Sequence, residues 1–125
     1  TRDSAMLSYE PVGDEGYGVL IVSGRVESGD FDTVVPLIEK DIELHGRLRL
    51  LEKIEKFTGM EPMAFVRDIQ FGLPLVGKIS HVALVADAAW MRTAGDLFGG
   101  LFPGKVKTFE PETAEAAKIW LKSAA

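Results

Sequence analysis

The run His81 to Asp87 (HVALVAD) is apolar almost without alternation, and it passes with no linker into a helical stripe. A strand with that pattern is covered on both faces. The stripe runs from Trp90 to Phe102 (WMRTAGDLFGGLF). At helical spacing Trp90, Ala94, Leu97, Phe98 and Leu101 fall on one side, with Met91 beside them. A buried strand feeding directly into an amphipathic helix is the repeating unit of layered α/β domains, so this segment narrows the fold more than any other. Gly99 and Gly100 close the stripe and leave its end free to shift.

The rest of the chain supplies the same grammar. Leu7 to Val12 reads as a short strand and Tyr17 to Ser23 (YGVLIVS) as a second, joined through Gly13-Asp14-Glu15-Gly16 into a hairpin. Asp30 is placed to cap a helix whose face is Phe31, Val34, Val35, Ile38 and Ile42, ending at Gly46. Pro36 inside that pattern is expected to kink the helix or delay its start. Arg47 to Phe57 (RLRLLEKIEKF) is strand-like but half polar, and Glu52 and Lys53 mark it as an edge or near-edge strand. A helix from Pro62 to Val76 follows, with Pro well placed at its first position. Lys105 to Phe109 alternates as a last strand, and Glu110-Pro111-Glu112 opens a last helix with Ala114, Ala117, Trp120 and Leu121 inward.

The order β-β-α-β-α-β-α-β-α gives an α/β sandwich: a mainly parallel five-stranded sheet with an antiparallel N-terminal strand and four helices, two per face. Right-handed crossovers set the faces once the direction of strand addition is chosen. With the third strand on one side of the second and the last two on the other, the helices Pro62 to Val76 and Ala88 to Leu101 share a face. The first and last helices then share the opposite one. The sheet would change direction between the second and fourth strands, where ligands of such sheets gather.

At 125 residues the chain fits one domain, residues 6–125, that needs no covalent staples. Thr1 to Ala5 is polar and reads as a disordered lead ahead of a start at Met6. There is no cysteine, which excludes disulfides and thiolate metal sites. A net charge of −5 argues against nucleic acid as the main partner. No apolar run approaches the roughly 18–20 residues that span a bilayer, and no signal peptide is visible.

Four stretches resemble the SpoIIAA-like family in order and across nearly the whole chain from Met6: VLIVSGRVESGDFDTVVPLIE, GRLRLLEKIEKFTG, DIQFGLPLVGKISHVALVADAAW and LFGGLFPGKVKTFEPETAEAAKIWL. The resemblance implies a STAS-type fold, itself related in architecture to Sec14/CRAL-TRIO lipid-binding domains, in a small cytoplasmic protein, peripheral to the membrane in one version of the reading. Proposals for relatives centre on an apolar cavity and membrane association. Anti-sigma-factor antagonists of the STAS group carry a phosphorylatable Ser in an Asp-Ser-Ser-Gly-like loop after the third strand. Here that stretch is Lys56-Phe57-Thr58-Gly59-Met60, in which Thr58 alone could accept phosphate.

Two candidate sites follow. Phe65, Ile69, Leu73, Trp90, Leu97, Phe98 and Leu101 could line an apolar ligand pocket against the sheet, although every α/β domain needs such residues for its core. Phe71, Leu75 and Phe102 fall off that stripe and would form a membrane or partner surface, with Lys78, Arg92 and Lys105 as nearby positive charge. Arg25, Glu27, Asp87 and Glu110 stand near the C-terminal ends of strands, but no spacing joins a nucleophile, a base and an oxyanion donor. Asp87 is more simply a cap for the Trp90 helix. His45 and His81 are isolated, and no phosphate-loop or dinucleotide pattern occurs. The sequence thus points to a non-enzymatic module with no cofactor and no metal. Its expected partner is a hydrophobic small molecule or lipid. A membrane surface, a protein partner in a regulatory switch, and a homodimer stay open, and nucleic acid is not expected.

Overall fold

The computed structural model describes residues 6–60, 74–100 and 103–124, with the backbone alone at Met60, Val76, Leu97 and Phe98. Five strands form one sheet: β1 (Leu7–Glu10), β2 (Gly18–Val26), β3 (Leu48–Met60), β4 (Ile79–Ala86) and β5 (Lys105–Phe109). Three α-helices lie among the described residues: α1 (Phe31–His45), α2 (Ala89–Gly99) and α3 (Ala114–Lys122). The expected helix from Pro62 to Val76 lies mostly outside the described residues; Pro74 and Leu75 are helical and Val76–Lys78 forms a 3-10 turn. The expected lead, Thr1 to Ala5, also lies outside them.

The strand order is β1-β2-β3-β4-β5. β1 is antiparallel to β2, and β2 through β5 are mutually parallel. Strand addition therefore runs in one direction only, which corrects the expectation of a reversal between the second and fourth strands. The physical consequence is immediate. Right-handed crossovers made in one direction all fall on the same face. α1 and the start of α2 accordingly pack on one apolar cluster, built on Leu7, Val22, Leu50, Ile54 and Leu84. The chain makes no further crossover after β5, and α3 turns onto the other face against Leu51, Ala83, Val85 and Phe109. Among the described residues, the expected pairing of helices gives way to α1 and α2 on one face and α3 on the other.

β3 is the central strand, not an edge. Its charges are explained by its two faces. Leu50, Glu52 and Ile54 point toward α1, where Glu52 is half-buried. Leu51 lies under α3, but Lys53 stands beyond it, in an open hollow edged by Glu10, Glu15 and Lys118. α3, the one helix described on this face, is too narrow to cover five strands, and β1 and β2 line an open hollow beside it.

α1 begins at Phe31 with Pro36 accommodated in its second turn. Asp30 does not cap it by side chain. Its carboxylate reaches back to accept the Glu27 N–H at 2.7 Å and closes the 3-10 turn Ser28–Asp30. The firmest tie between α1 and the sheet is polar. Asp41, 4% exposed, accepts the Tyr9 hydroxyl at 2.6 Å and the Val12 N–H at 2.9 Å. Burial and the neighbouring Asp41 carboxylate both push the Tyr9 hydroxyl far above its ordinary pKa, so it stays a donor.

Gly18 is required by this arrangement, because a Cβ there would sit 2.0 Å from the Tyr9 hydroxyl oxygen. Gly18→Ala should displace Tyr9 from Asp41 and cost about 2–4 kcal/mol, combining overpacking with loss of a hydrogen bond to a charged group. Gly29→Ala, with open space around its Cβ, is the control. Urea unfolding checks both: a midpoint for Gly18→Ala equal to that of Gly29→Ala would refute the account.

Candidate functional site

On the face shared by α1 and α2 the sheet is not fully filled. A cavity of about 160 Å3 lies between the middle and C-terminal parts of β2 and β3, α1 and the first turn of α2. β1 and β2 contribute Leu7, Leu20, Val22 and Val26; α1 contributes Phe31, Val34 and Ile38; β3 contributes Glu52, Ile54 and Phe57; α2 contributes Met91. Alternation along the strands places these residues on one face, and the i, i+3, i+7 spacing of α1 sets Phe31, Val34 and Ile38 over them. Glu52 is the one ionisable group among the described lining residues, and it is partnered.

The side chains expected at the pocket are placed differently. Trp90 is 63% exposed and does not line the cavity; the adjacent Met91 does. The face of α2 that meets the sheet carries Met91, Gly95 and Gly99, spaced by four. A Cβ on Gly95 would lie 2.7 Å from Leu84 Cδ2 and 3.0 Å from Thr108 Cγ2, and one on Gly99 would lie 3.1 Å from Val106 Cβ. Small residues let the helix backbone approach β4 and β5, and Trp90, the large side chain of the stripe that is described, points away from the sheet. Phe65, Ile69, Leu73 and Leu101 lie outside the described residues, as do the side chains of Leu97 and Phe98. Leu75, expected on an exposed surface, is 9% exposed and belongs to the core. Its companions Phe71 and Phe102 lie outside the described residues. Leu44, Trp90 and Ile119 are the exposed large apolar side chains described; the first and last stand on separate helices, as scattered surface residues do.

The C-terminal ends of the strands are polar and mutually engaged. The Arg92 guanidinium donates to the Ala86 carbonyl at 2.7 Å and the Asp87 carbonyl at 3.3 Å, and lies 3.8 Å from the Glu110 carboxylate. It therefore stands at the opposite end of the sheet from Lys78 and Lys105, with which the sequence had grouped it. Asp87 does not cap α2. Its carboxylate accepts the Lys56 N–H at 3.3 Å. Between Ser23–Glu55 and Arg25–Gly59 the β2–β3 register slips, and Lys56 takes φ of +49°. Lys56 to Met60 is thus a bulged continuation of β3 and not a loop, with Thr58 exposed on it. Left-handed backbone at a lysine is uncommon, and nothing in the sequence flagged it.

A mixed five-stranded α/β sheet with α1 and α2 on one face defines the class of protein. The family model for SpoIIAA-like proteins matches residues 19–122, and the chain belongs to that family. The fold is similar to that of an uncharacterized protein of the DUF3478 family from Shewanella loihica PV-4, whose crystal structure has a SpoIIAA-like fold. The TM-score is 0.76 at 24% identity, covering 92% of this chain and 91% of that one. At that identity the likeness is one of fold. No curated protein matches the chain.

The close approach of α2 is directly checkable. Gly95→Val should destabilise the protein by about 1–3 kcal/mol through overpacking against Leu84 and Thr108. Thr93→Val, on the exposed side of the same helix, should change stability by less than about 0.5–1 kcal/mol. Equal melting temperatures for the two variants would place α2 farther from the sheet than described.

Proposed function

We propose that the protein is a non-enzymatic binding module that takes a hydrophobic or lipid-like group into the cavity beneath α1. The observation that carries this reading is the cavity itself, apolar on all described sides except at Glu52. Its size decides what fits. A void of about 150 Å3 lined by aliphatic and aromatic side chains holds a benzene-sized molecule. The cavity of about 160 Å3 would then hold one ring or a short acyl segment rather than a whole lipid. If sealed and empty, it would cost about 4 kcal/mol at some 24 cal/mol per Å3, and an apolar guest offsets that loss.

Several features support binding over catalysis. The carboxylates at the C-terminal strand ends are committed to structure: Asp87 to the Lys56 amide, Glu110 to Arg92, and Asp30 to the Glu27 amide. Among the described residues no cluster of His, Asp or Glu is arranged to hold a metal. No helix among them is long and apolar enough to cross a membrane. We take the setting to be cytoplasmic, with membrane contact, if any, made from the surface. A second reading, a protein-interaction module, is favoured by the exposure of Thr58 and Trp90 at the same end of the sheet.

The test is a screen of fatty acids, single-ring aromatics and an apolar fluorescent probe. A ligand at a hundredfold excess over Kd should raise Tm by roughly 5–10 °C, because it binds the folded state alone. Leu20→Phe, which grows a side chain into the cavity, should abolish that shift with the fold intact by circular dichroism. A Tm unmoved by every compound, with no bound species in native mass spectrometry, refutes the proposal. An undiminished shift in Leu20→Phe places the ligand elsewhere and refutes the cavity as its site.

A further inference from the structure

The N-terminal ends of the parallel strands form a second, chemically opposite site. Arg47 and Arg49 stand at the start of β3, Ser80 and His81 at the start of β4, and Lys105 at the start of β5, where it pairs in register with His81. His45, in the last turn of α1, closes the group. Two hollows, of about 520 Å3 and 240 Å3, meet here and share Arg47 and Ser80 in their walls. No carboxylate is among the described residues of either wall. This concentration of cations occurs in a chain of net charge −5.

A bland explanation is that the cations only neutralise helix ends, since α1 and α3 both finish nearby. Arg49 does donate to the Leu121 carbonyl at the end of α3, at 3.0 Å. The magnitudes do not balance. Each helix C-terminus is equivalent to about half a negative charge, so the two together offset one cation. Asp41 offsets another at most, and it is already satisfied by Tyr9 and Val12, with His45 3.9 Å away. Arg47, Arg49 and Lys105 carry three full charges, so about one is left unmatched, and among the described residues none of the three forms an ion pair with a carboxylate. Glu15, in the turn between Gly13 and Gly16, is paired with Lys122 at 3.8 Å. His81 reports the resulting field: burial, and then Arg49, Lys105 and Arg47, hold its pKa below the ordinary value.

We propose that this end of the sheet binds a phosphate group, with Arg47, Arg49 and Lys105 as its charge partners and the Ser80 hydroxyl beside them. Arginine forks match the geometry of phosphate oxygens, and a multiply charged anion answers a cluster of three cations better than a single carboxylate does. The hollows are wide enough for a phosphorylated small molecule, and they are open enough for a phospholipid headgroup. The site is independent of the apolar cavity, which lies toward the other end of β2 and β3.

The two histidines of the chain, His45 and His81, make the experiment simple. Inorganic phosphate and pyrophosphate are titrated into the protein while the imidazole signals are followed by NMR, in low salt because screening weakens the interaction. Saturable shifts at His81 are expected, together with a rise in its pKa, since a bound anion favours the charged imidazole. Arg47→Ala and Lys105→Ala should each weaken pyrophosphate binding by about tenfold. Lys40→Ala, which removes one exposed charge from α1, should leave it unchanged. Vesicles of phosphatidylcholine with and without phosphatidic acid form the second arm. Binding of soluble pyrophosphate assigns the site to a free phosphorylated ligand. Binding confined to vesicles with phosphatidic acid, and lost in Arg47→Ala, assigns it to a headgroup. Absence of saturation in both arms overturns the proposal, and so does a Lys40→Ala effect equal to that of Arg47→Ala.

Discussion

Strand addition in a single direction is the constraint on which the remaining architecture depends. β2, β3, β4 and β5 follow one another across the sheet in chain order, and right-handed crossovers then have one face available to them. That face becomes thick and holds the larger apolar cluster. Among the described residues, the other receives one nine-residue helix after the last strand. α3 is anchored there by Ala117 and Leu121, both fully buried, and by Trp120, whose ring meets His81 edge-on at 5.6 Å. The asymmetry explains why an apolar hollow occurs under α1, whereas Lys53 can remain charged on the face opposite.

A thick face built from crossovers has to be kept in register with the sheet, and two devices do so. Asp41 fastens α1 to β1 and to the chain following it, through the Tyr9 hydroxyl and the Val12 amide. Such a buried carboxylate is costly if a partner is lost, so it fixes the position of α1 more sharply than apolar packing would. Gly95 and Gly99 do the corresponding work for α2 by letting its backbone approach Leu84, Thr108 and Val106. Between the fastened α1 and the closely seated α2 the cavity remains, with Met91 as the contribution of α2. The void is thus a consequence of where two helices are held.

Much of this was legible from residues alone, for identifiable reasons. HVALVAD announced a strand covered on both faces because its apolar residues do not alternate, and Phe31, Val34, Ile38 and Ile42 announced α1 because their spacing matches a helix. The family resemblance carried the same order of elements. The assignment of faces failed because handedness gives a face only after the direction of strand addition is known, and no residue encodes that direction locally. Trp90 was chosen over Met91 because size and hydrophobicity favour it, whereas the described contact line of α2 runs through Met91 and two glycines, Gly95 and Gly99. Glu52 and Lys53 suggested an edge strand. A central strand can carry them because one face is incompletely covered and the other holds a hollow. The Tyr9–Asp41 bond joins residues 32 apart, and the bulge at Lys56 depends on a register slip against β2; neither has a local signature.

The distribution of charge separates the two ends of the sheet in kind. At the C-terminal ends, where parallel sheets usually gather ligands, acidic and basic groups are used against one another. Arg92 ties the ends of β4 and β5, and Asp87 holds the bulge of β3 through the Lys56 amide. At the N-terminal ends the cations face no acidic partner among the described residues and outweigh the helix termini beside them. α1 touches both regions, with Phe31, Val34 and Ile38 over the cavity and His45 at the basic end. A helix fastened at Asp41, between those two points, holds the apolar hollow and the positive hollow at a fixed separation.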